Sequence, residues 1–196
     1  IHASTLVDHN LSFMRGNITA DPPLFLLLVR FWYWLADVLP GLAERSVARD
    51  FFMRFPACVA GIAGIPLTFA ACRAIVKEKR AALLAAFLFA VSPFQIYYAQ
   101  ELRPYSLYVA LSLAAVVCLV KALDEDRMRY WVGLIVLLAL SLYTHFFSLW
   151  NLVVVNLYFI VTLNWHRRVF IKWVVSQSVL ALLCVPALML IARANS

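Results

Sequence analysis

Six apolar runs, each near the ~20 residues that a helix needs to cross a hydrocarbon core, constrain this chain more than any other feature. They are Phe51 to Cys72, Ala81 to Tyr98, Tyr105 to Leu123, Tyr130 to about Tyr143, about Phe147 to Leu163, and Val169 to Ile191. At 65% apolar and 14% charged residues over 196 positions, the composition is far from that of a soluble domain. The expected fold is all-α: a polytopic transmembrane helical bundle of about six spans plus an interfacial helix in the first outer loop. A single membrane domain then covers 1–196, with the outer-loop segment over 1–50 and the transmembrane helices over 51–191.

Two boundaries need argument. The stretch from Tyr130 to Leu163 is too long for one untilted span, and its polar Thr144-His145 is the expected break. The run Pro22 to Leu39 is interrupted by Arg30 and Asp37, and its place follows from charge. Of 17 basic residues, ten fall in three loops, which carry Arg73, Lys77, Lys79 and Arg80; Lys121, Arg127 and Arg129; and Arg167, Arg168 and Lys172. Such loops face the cytoplasm. The Gln100-Glu101-Arg103 loop, the Thr144-His145 turn and Ala192 to Ser196 then face the other side. To keep the N-terminal polar residues on that outer side, Pro22 to Leu39 is read as an interfacial or re-entrant helix, the alternative being an ordinary transmembrane helix with Arg30 snorkelling. Proline is tolerated at its start, and Trp32, Tyr33 and Trp34 sit at headgroup depth.

The net charge of +7 thus serves orientation, and nucleic acid is not an expected partner. Cys58, Cys72, Cys118 and Cys184 lie within apolar runs with no CxxC spacing and read as small packing residues. A start on Ile1 reads as a fragment or processed product, from which no signal peptide can be argued.

Chemistry concentrates between the second and third runs, in Tyr97-Tyr98-Ala99-Gln100-Glu101-Leu102-Arg103-Pro104-Tyr105. A charge at bilayer depth costs a few kcal/mol, so such groups pair, face a cavity or do chemistry. Glu101 and Arg103 are either an ion pair at a helix end or a site. A planar guanidinium suits a phosphate, and a carboxylate can hold a hydroxyl, a proton or a divalent cation. Ser92-Pro93 loosens the preceding helix, and Tyr97, Tyr98, Tyr105 and Tyr108 supply amphipathic rings. His145 is either a packed histidine or a second ligand-facing group on the same side. Asp21, before Pro22-Pro23, is a helix N-cap or a binding residue. Asp8, His9, Arg15 and Arg54 carry weaker signals. No phosphate loop, zinc spacing or serine-hydrolase elbow is present in the sequence.

In order along the chain, Asp21-Pro22-Pro23-Leu24-Phe25, Arg54-Phe55-Pro56-Ala57, Arg80 to Ala86, Ser92 to Tyr105, and Leu142-Tyr143-Thr144-His145-Phe146-Phe147 resemble the GT-C membrane glycosyltransferases. Within them the chain is similar to the bacterial family 39-like enzymes, grouped with protein mannosyltransferases, aminoarabinose transferases and lipopolysaccharide-core glycosyltransferases. The resemblance implies hexosyl or pentosyl transfer from a polyprenyl-phosphate donor to a lipid, glycan or protein acceptor. It places the enzyme in a bacterial inner membrane, with its active site on the periplasmic face. Glu101 matches the acidic residue of the second outer loop and is the candidate catalytic group. Gln100 and Arg103 match its polar flanks, and His145 matches the Tyr-Thr-His turn. Tyr98, Tyr105 and Asp21 complete the candidate substrate-binding set, although many relatives carry histidine in place of Asp21. Glu101 and His145 are the candidate ligands for a divalent cation. The family's first-loop acidic pair, which serves as base or acceptor positioner, is expected before Ile1. Two other classes remain open on the residues alone: a transporter or lipid flippase, and a non-catalytic membrane scaffold.

Overall fold

A computed structural model describes residues 23–39, 47–162 and 166–194. Among them are eight helices: α1 Pro23–Val38, α2 Val47–Val76, α3 Lys79–Ala90, α4 Pro93–Ala99, α5 Tyr105–Glu125, α6 Met128–Thr144, α7 Ser148–Thr162 and α8 Arg167–Ala194. Each expected run has become helix, and the described residues contain no strand. The helices follow the expected runs, and they differ in how many are long enough to span. Val47–Val76, Tyr105–Glu125 and Arg167–Pro186 are long and apolar enough to cross a membrane, and α3 with α4 makes a fourth such span if the bent pair counts as one. At 17 and 15 residues, α6 and α7 reach only ~26 and ~22 Å at 1.5 Å per residue.

The expected break at Thr144-His145 has a local cause, and so does a second one at Ser92-Pro93, inside a run read from the sequence as a single loosened span. A residue before proline avoids the helical region. Ser92 is accordingly extended (φ −65°, ψ 119°), Pro93 opens α4, and the two helices meet at a 57° bend. His145 is likewise extended (φ −156°, ψ 141°) and ends α6 at Thr144.

Two-residue turns join α2 to α3 and α5 to α6, which makes each pair antiparallel neighbours. At both turns a left-handed residue, Lys77 (φ 62°) or Asp126 (φ 50°), returns its N–H to Arg73 O or Ala122 O, as helix C-caps do. The three basic loops gather at this end of the bundle. Lys77 pairs with Asp124 at 3.1 Å and Lys172 with Asp126 at 2.7 Å, while Arg127 and Arg129 reach Glu125. The loops carrying Glu101 and His145 occupy the opposite end.

The largest core joins α5, α6, α7 and α8 through Ala115, Leu119, Trp131, Leu134, Leu138, Val155 and Leu180, with Phe159 stacked on Trp173 at 4.5 Å. Leu83, Leu84, Phe87 and Leu88 on α3 and Leu157, Ile160 and Val161 on α7 face outward, as lipid-exposed surfaces do. The four cysteines are free and half-buried.

Glycines on α2 set how closely the bent α3–α4 pair can pack. A Cβ on Gly61 would stand 2.7 Å from Ala99 Cβ, and one on Gly64 would stand 2.6 Å from the Phe89 ring. Helix α1 packs on α2 and α6 with Val29 and Ala36 buried. Its Trp32 stacks on Phe52 at 4.9 Å and donates from Nε1 to Phe52 O at 2.7 Å. That carbonyl lies four residues before Pro56, whose missing N–H would otherwise have left it unpaired. Asp37 pairs with Arg49 at 2.7 Å and fastens the two helices again.

Two outcomes follow. Gly61→Ala meets a Cβ fixed to backbone, so it displaces α4 and should destabilise by about 1–3 kcal/mol in thermal unfolding in detergent. Gly64→Ala meets a ring that can swing, and it also gains about 1 kcal/mol of helix propensity, so it should be near neutral. At the basic end, the hydrogen bond and charge of Lys172, with a lesser contribution from the Arg168 charge, hold the Asp126 carboxyl below its usual range against the opposing effect of desolvation. A depressed carboxyl pKa stabilises the fold above its unfolded value near 3.9, and the gain is lost as pH falls through the lower folded value. Asp126→Asn should therefore flatten the acid limb of stability below about pH 4. It should cost under about 1 kcal/mol at neutral pH, because the pair is solvent-screened.

Candidate functional site

The loop between α4 and α5 is a tight turn built from the residues on either side of Glu101. Gln100 N–H bonds Tyr97 O at 3.1 Å, Glu101 N–H bonds Tyr98 O at 3.4 Å, and Arg103 N–H bonds Glu101 O at 2.9 Å. This turn points both charged side chains the same way. Arg103 Nε lies 3.3 Å from Glu101 Oε2, with the Arg103 side chain 52% exposed and that of Glu101 26% exposed. Glu101 is thus the more sheltered partner, also approached by the Tyr97 hydroxyl. The terminal amino groups of Arg103 are donors suited to an incoming anion. The ion pair read as one alternative from the sequence is present, and its exposure leaves room for a ligand as well.

A row of rings connects this turn to His145. Tyr98 meets Phe94 at 4.5 Å, Tyr97 at 5.2 Å and Tyr105 at 4.6 Å, all edge-on. Tyr105 then meets the His145 ring at 5.3 Å, which is also flanked by Tyr108 at 5.7 Å and stacked on Phe147 at 5.0 Å. Edge-to-face and offset ring pairs contribute roughly 0.5–1.5 kcal/mol each beyond area burial. Tyr105 is therefore the residue that makes one surface of two loops separated by forty positions in sequence. Its hydroxyphenyl side chain combines an apolar body with a polar tip, as suits a membrane–water boundary.

Glu101, Arg103, Tyr98, Tyr105 and His145 are thereby brought to one end of the bundle. Gln100 is there too, with its side chain exposed. Asp21, Asp8, His9 and Arg15 lie outside the described residues. Arg54 is half-buried near the start of α2. Among the described residues no three His, Cys, Asp or Glu side chains come together as a metal site.

The residues that sequence reasoning missed lie beneath His145. Asn151 on α7 bonds Ser112 and Ser141, and Tyr108 bonds Asn151. Ser141 and Ser148 are fully buried and bonded to each other. A signal existed: an asparagine inside an apolar run must find partners or lose several kcal/mol, and two serines seven residues apart bracket the helix break.

Comparison with known proteins identifies the family. A family model described as dolichyl-phosphate-mannose-protein mannosyltransferase matches residues 21–190, which include all eight helices up to the last turn of α8. No curated protein and no solved structure matches the chain. The match spans most of the sequence and takes in both loops of the candidate site, so the chain belongs to the dolichyl-phosphate-mannose-protein mannosyltransferase family and is a membrane glycosyltransferase of the GT-C type.

Proposed function

We propose that the protein moves a sugar from a polyprenyl-phosphate carrier to a lipid, glycan or protein acceptor on the extracytoplasmic face of a bacterial inner membrane. The observation that carries this reading is the exposed guanidinium of Arg103 beside a sheltered carboxylate, joined by aromatic rings to His145 at the end away from the basic loops. An acceptor oxygen bonds to the anomeric carbon, the bond from that carbon to the phosphate oxygen breaks, and the phosphate leaves with the electron pair. Arg103, assisted by His145, holds the developing phosphate charge, which is where preorganised cations act most strongly. Glu101 keeps Arg103 in place and orients the acceptor hydroxyl. Its proton passes to a carboxylate base, which family resemblance assigns to the first outer loop. Tyr98 and Tyr105 offer the sugar flat rings and hydroxyl partners. Helix α1, with Trp34 exposed and Trp32 anchored on α2, lies along the outer interface.

The test uses the protein in membrane vesicles from its host, supplied with a radiolabelled polyprenyl-phosphate mannose and, in a second arm, a polyprenyl-phosphate pentose. Arg103→Ala should lower turnover roughly 100- to 1,000-fold, the usual effect of deleting one donor to a developing anion. Arg103→Lys should recover only part of it, because an ammonium cannot reproduce the fork. Glu101→Gln keeps the shape and removes the charge, so it should lower turnover with little change in thermal stability. Unchanged turnover in both Arg103→Ala and Glu101→Gln contradicts the assignment.

A further inference from the structure

We infer that Asn151 is a positioning residue for His145: it anchors a hydrogen-bonded network that holds the His145 turn and keeps the imidazole hydrogen on Nε2. The functional part of this inference rests on the reading that His145 belongs to the transfer site.

The network has one consistent set of donors. Asn151 Nδ2 is 2.7 Å from Ser112 Oγ and 3.1 Å from Ser141 Oγ, and its Oδ1 is 3.3 Å from the Tyr108 hydroxyl. Ser112 gives its hydrogen to Tyr108 O at 2.6 Å. Ser148 gives its hydrogen to Ser141 O at 2.5 Å, so the 2.9 Å contact between the two serine hydroxyls uses the hydrogen of Ser141. A flipped Asn151 amide would set Oδ1 against two hydroxyl oxygens whose hydrogens are already committed. The amide therefore has a single orientation, with both N–H groups and the carbonyl used.

The network grips the turn at both ends. The single Tyr108 hydroxyl hydrogen is shared between Asn151 Oδ1 and Phe147 O, each 3.3 Å away, and Ser148 is tied to Ser141 across the helix break. Between these anchors the Phe147 N–H donates to His145 Nδ1 at 3.1 Å. A neutral imidazole whose Nδ1 accepts carries its hydrogen on Nε2. The ring is then a donor of fixed direction, walled by Tyr105, Tyr108 and Phe147. Ser112, Ser141 and Asn151 lie on three different helices, α5, α6 and α7, so a change at Asn151 reaches the turn through each of them.

The test combines nitrogen NMR of histidine-labelled protein with transfer kinetics from polyprenyl-phosphate mannose. His145→Gln identifies the His145 signal. Wild type should show the Nε2–H tautomer. Asn151→Leu, and the milder Tyr108→Phe, which deletes only a hydroxyl, should show tautomer averaging. Transfer should fall roughly 10- to 100-fold in kcat for Asn151→Leu, as small misplacements of reacting groups do, with the donor KM little changed. Made on top of His145→Gln, the same substitution should lower turnover less than about twofold, since the group it positions is already gone. An unchanged tautomer in both variants, or kinetic losses that multiply in the double variant, overturns the positioning role. If the tautomer averages but His145→Gln itself transfers at the wild-type rate, the positioning stands and the placement of His145 in the site fails.

Discussion

A polar group that loses its partner inside a bilayer costs several kcal/mol, and that constraint orders nearly everything in this structure. Where Pro56 removes a backbone donor, the Trp32 indole takes the Phe52 carbonyl. Where Asn151 enters an apolar helix, serines on two neighbouring helices and a tyrosine surround it. Tyr143 spans from α6 to the Leu183 carbonyl of α8 at 2.7 Å, in the turn that Pro186 loosens. Among the described residues the ion pairs lie toward the two ends of the bundle, those of the basic loops at one and that of Glu101 with Arg103 at the other.

The site follows from that sorting together with close packing. Gly61 lets Ala99 approach α2 without a Cβ between them, and the turn that holds Glu101 and Arg103 begins one residue later. The 57° bend at Ser92-Pro93 tips α4 and directs this turn, and Tyr105 then bridges it to His145. The site is thus held by helix contacts on one side and aromatic contacts on the other. Its charged groups stand partly exposed at the bundle's edge, the position in which the proposed function places the donor phosphate. The basic end is instead closed by ion pairs among its own loops, and its Glu125 is shared by Arg127 and Arg129 beside the Tyr130 ring.

Much of the fold was legible because apolar length and charge are one-dimensional signals. The proline at 93 and the polar Thr144-His145 marked both helix breaks, and the basic clusters marked one end. The motif around Glu101 was legible as well, since a carboxylate and a guanidinium two residues apart stand out in so apolar a chain. The bounds of α6 and α7 were legible to within about two residues, from Tyr130 to Tyr143 and from Phe147 to Leu163 against Met128–Thr144 and Ser148–Thr162, but the buried serine bonds around the break were not. The Asn151 network was hidden for a related reason. Its members, Tyr108, Ser112, Ser141, Ser148 and Asn151, belong to three helices, and only the antiparallel packing of α5, α6 and α7 brings them together. Asp21 matches the family pattern in position but lies outside the described residues, so its share in the site stays a matter of resemblance.

The central claim is that the loops at Glu101 and His145 share the outer face and the basic loops share the inner one. Cysteine labelling in intact cells with a membrane-impermeant maleimide tests it directly, in a background with Cys58, Cys72, Cys118 and Cys184 replaced by alanine. Gln100→Cys and Phe146→Cys should both label from outside, and Glu78→Cys and Arg168→Cys should label only after the membrane is permeabilised. Labelling of Gln100→Cys and Phe146→Cys from opposite sides, or of Glu78→Cys together with Gln100→Cys in intact cells, would contradict the account.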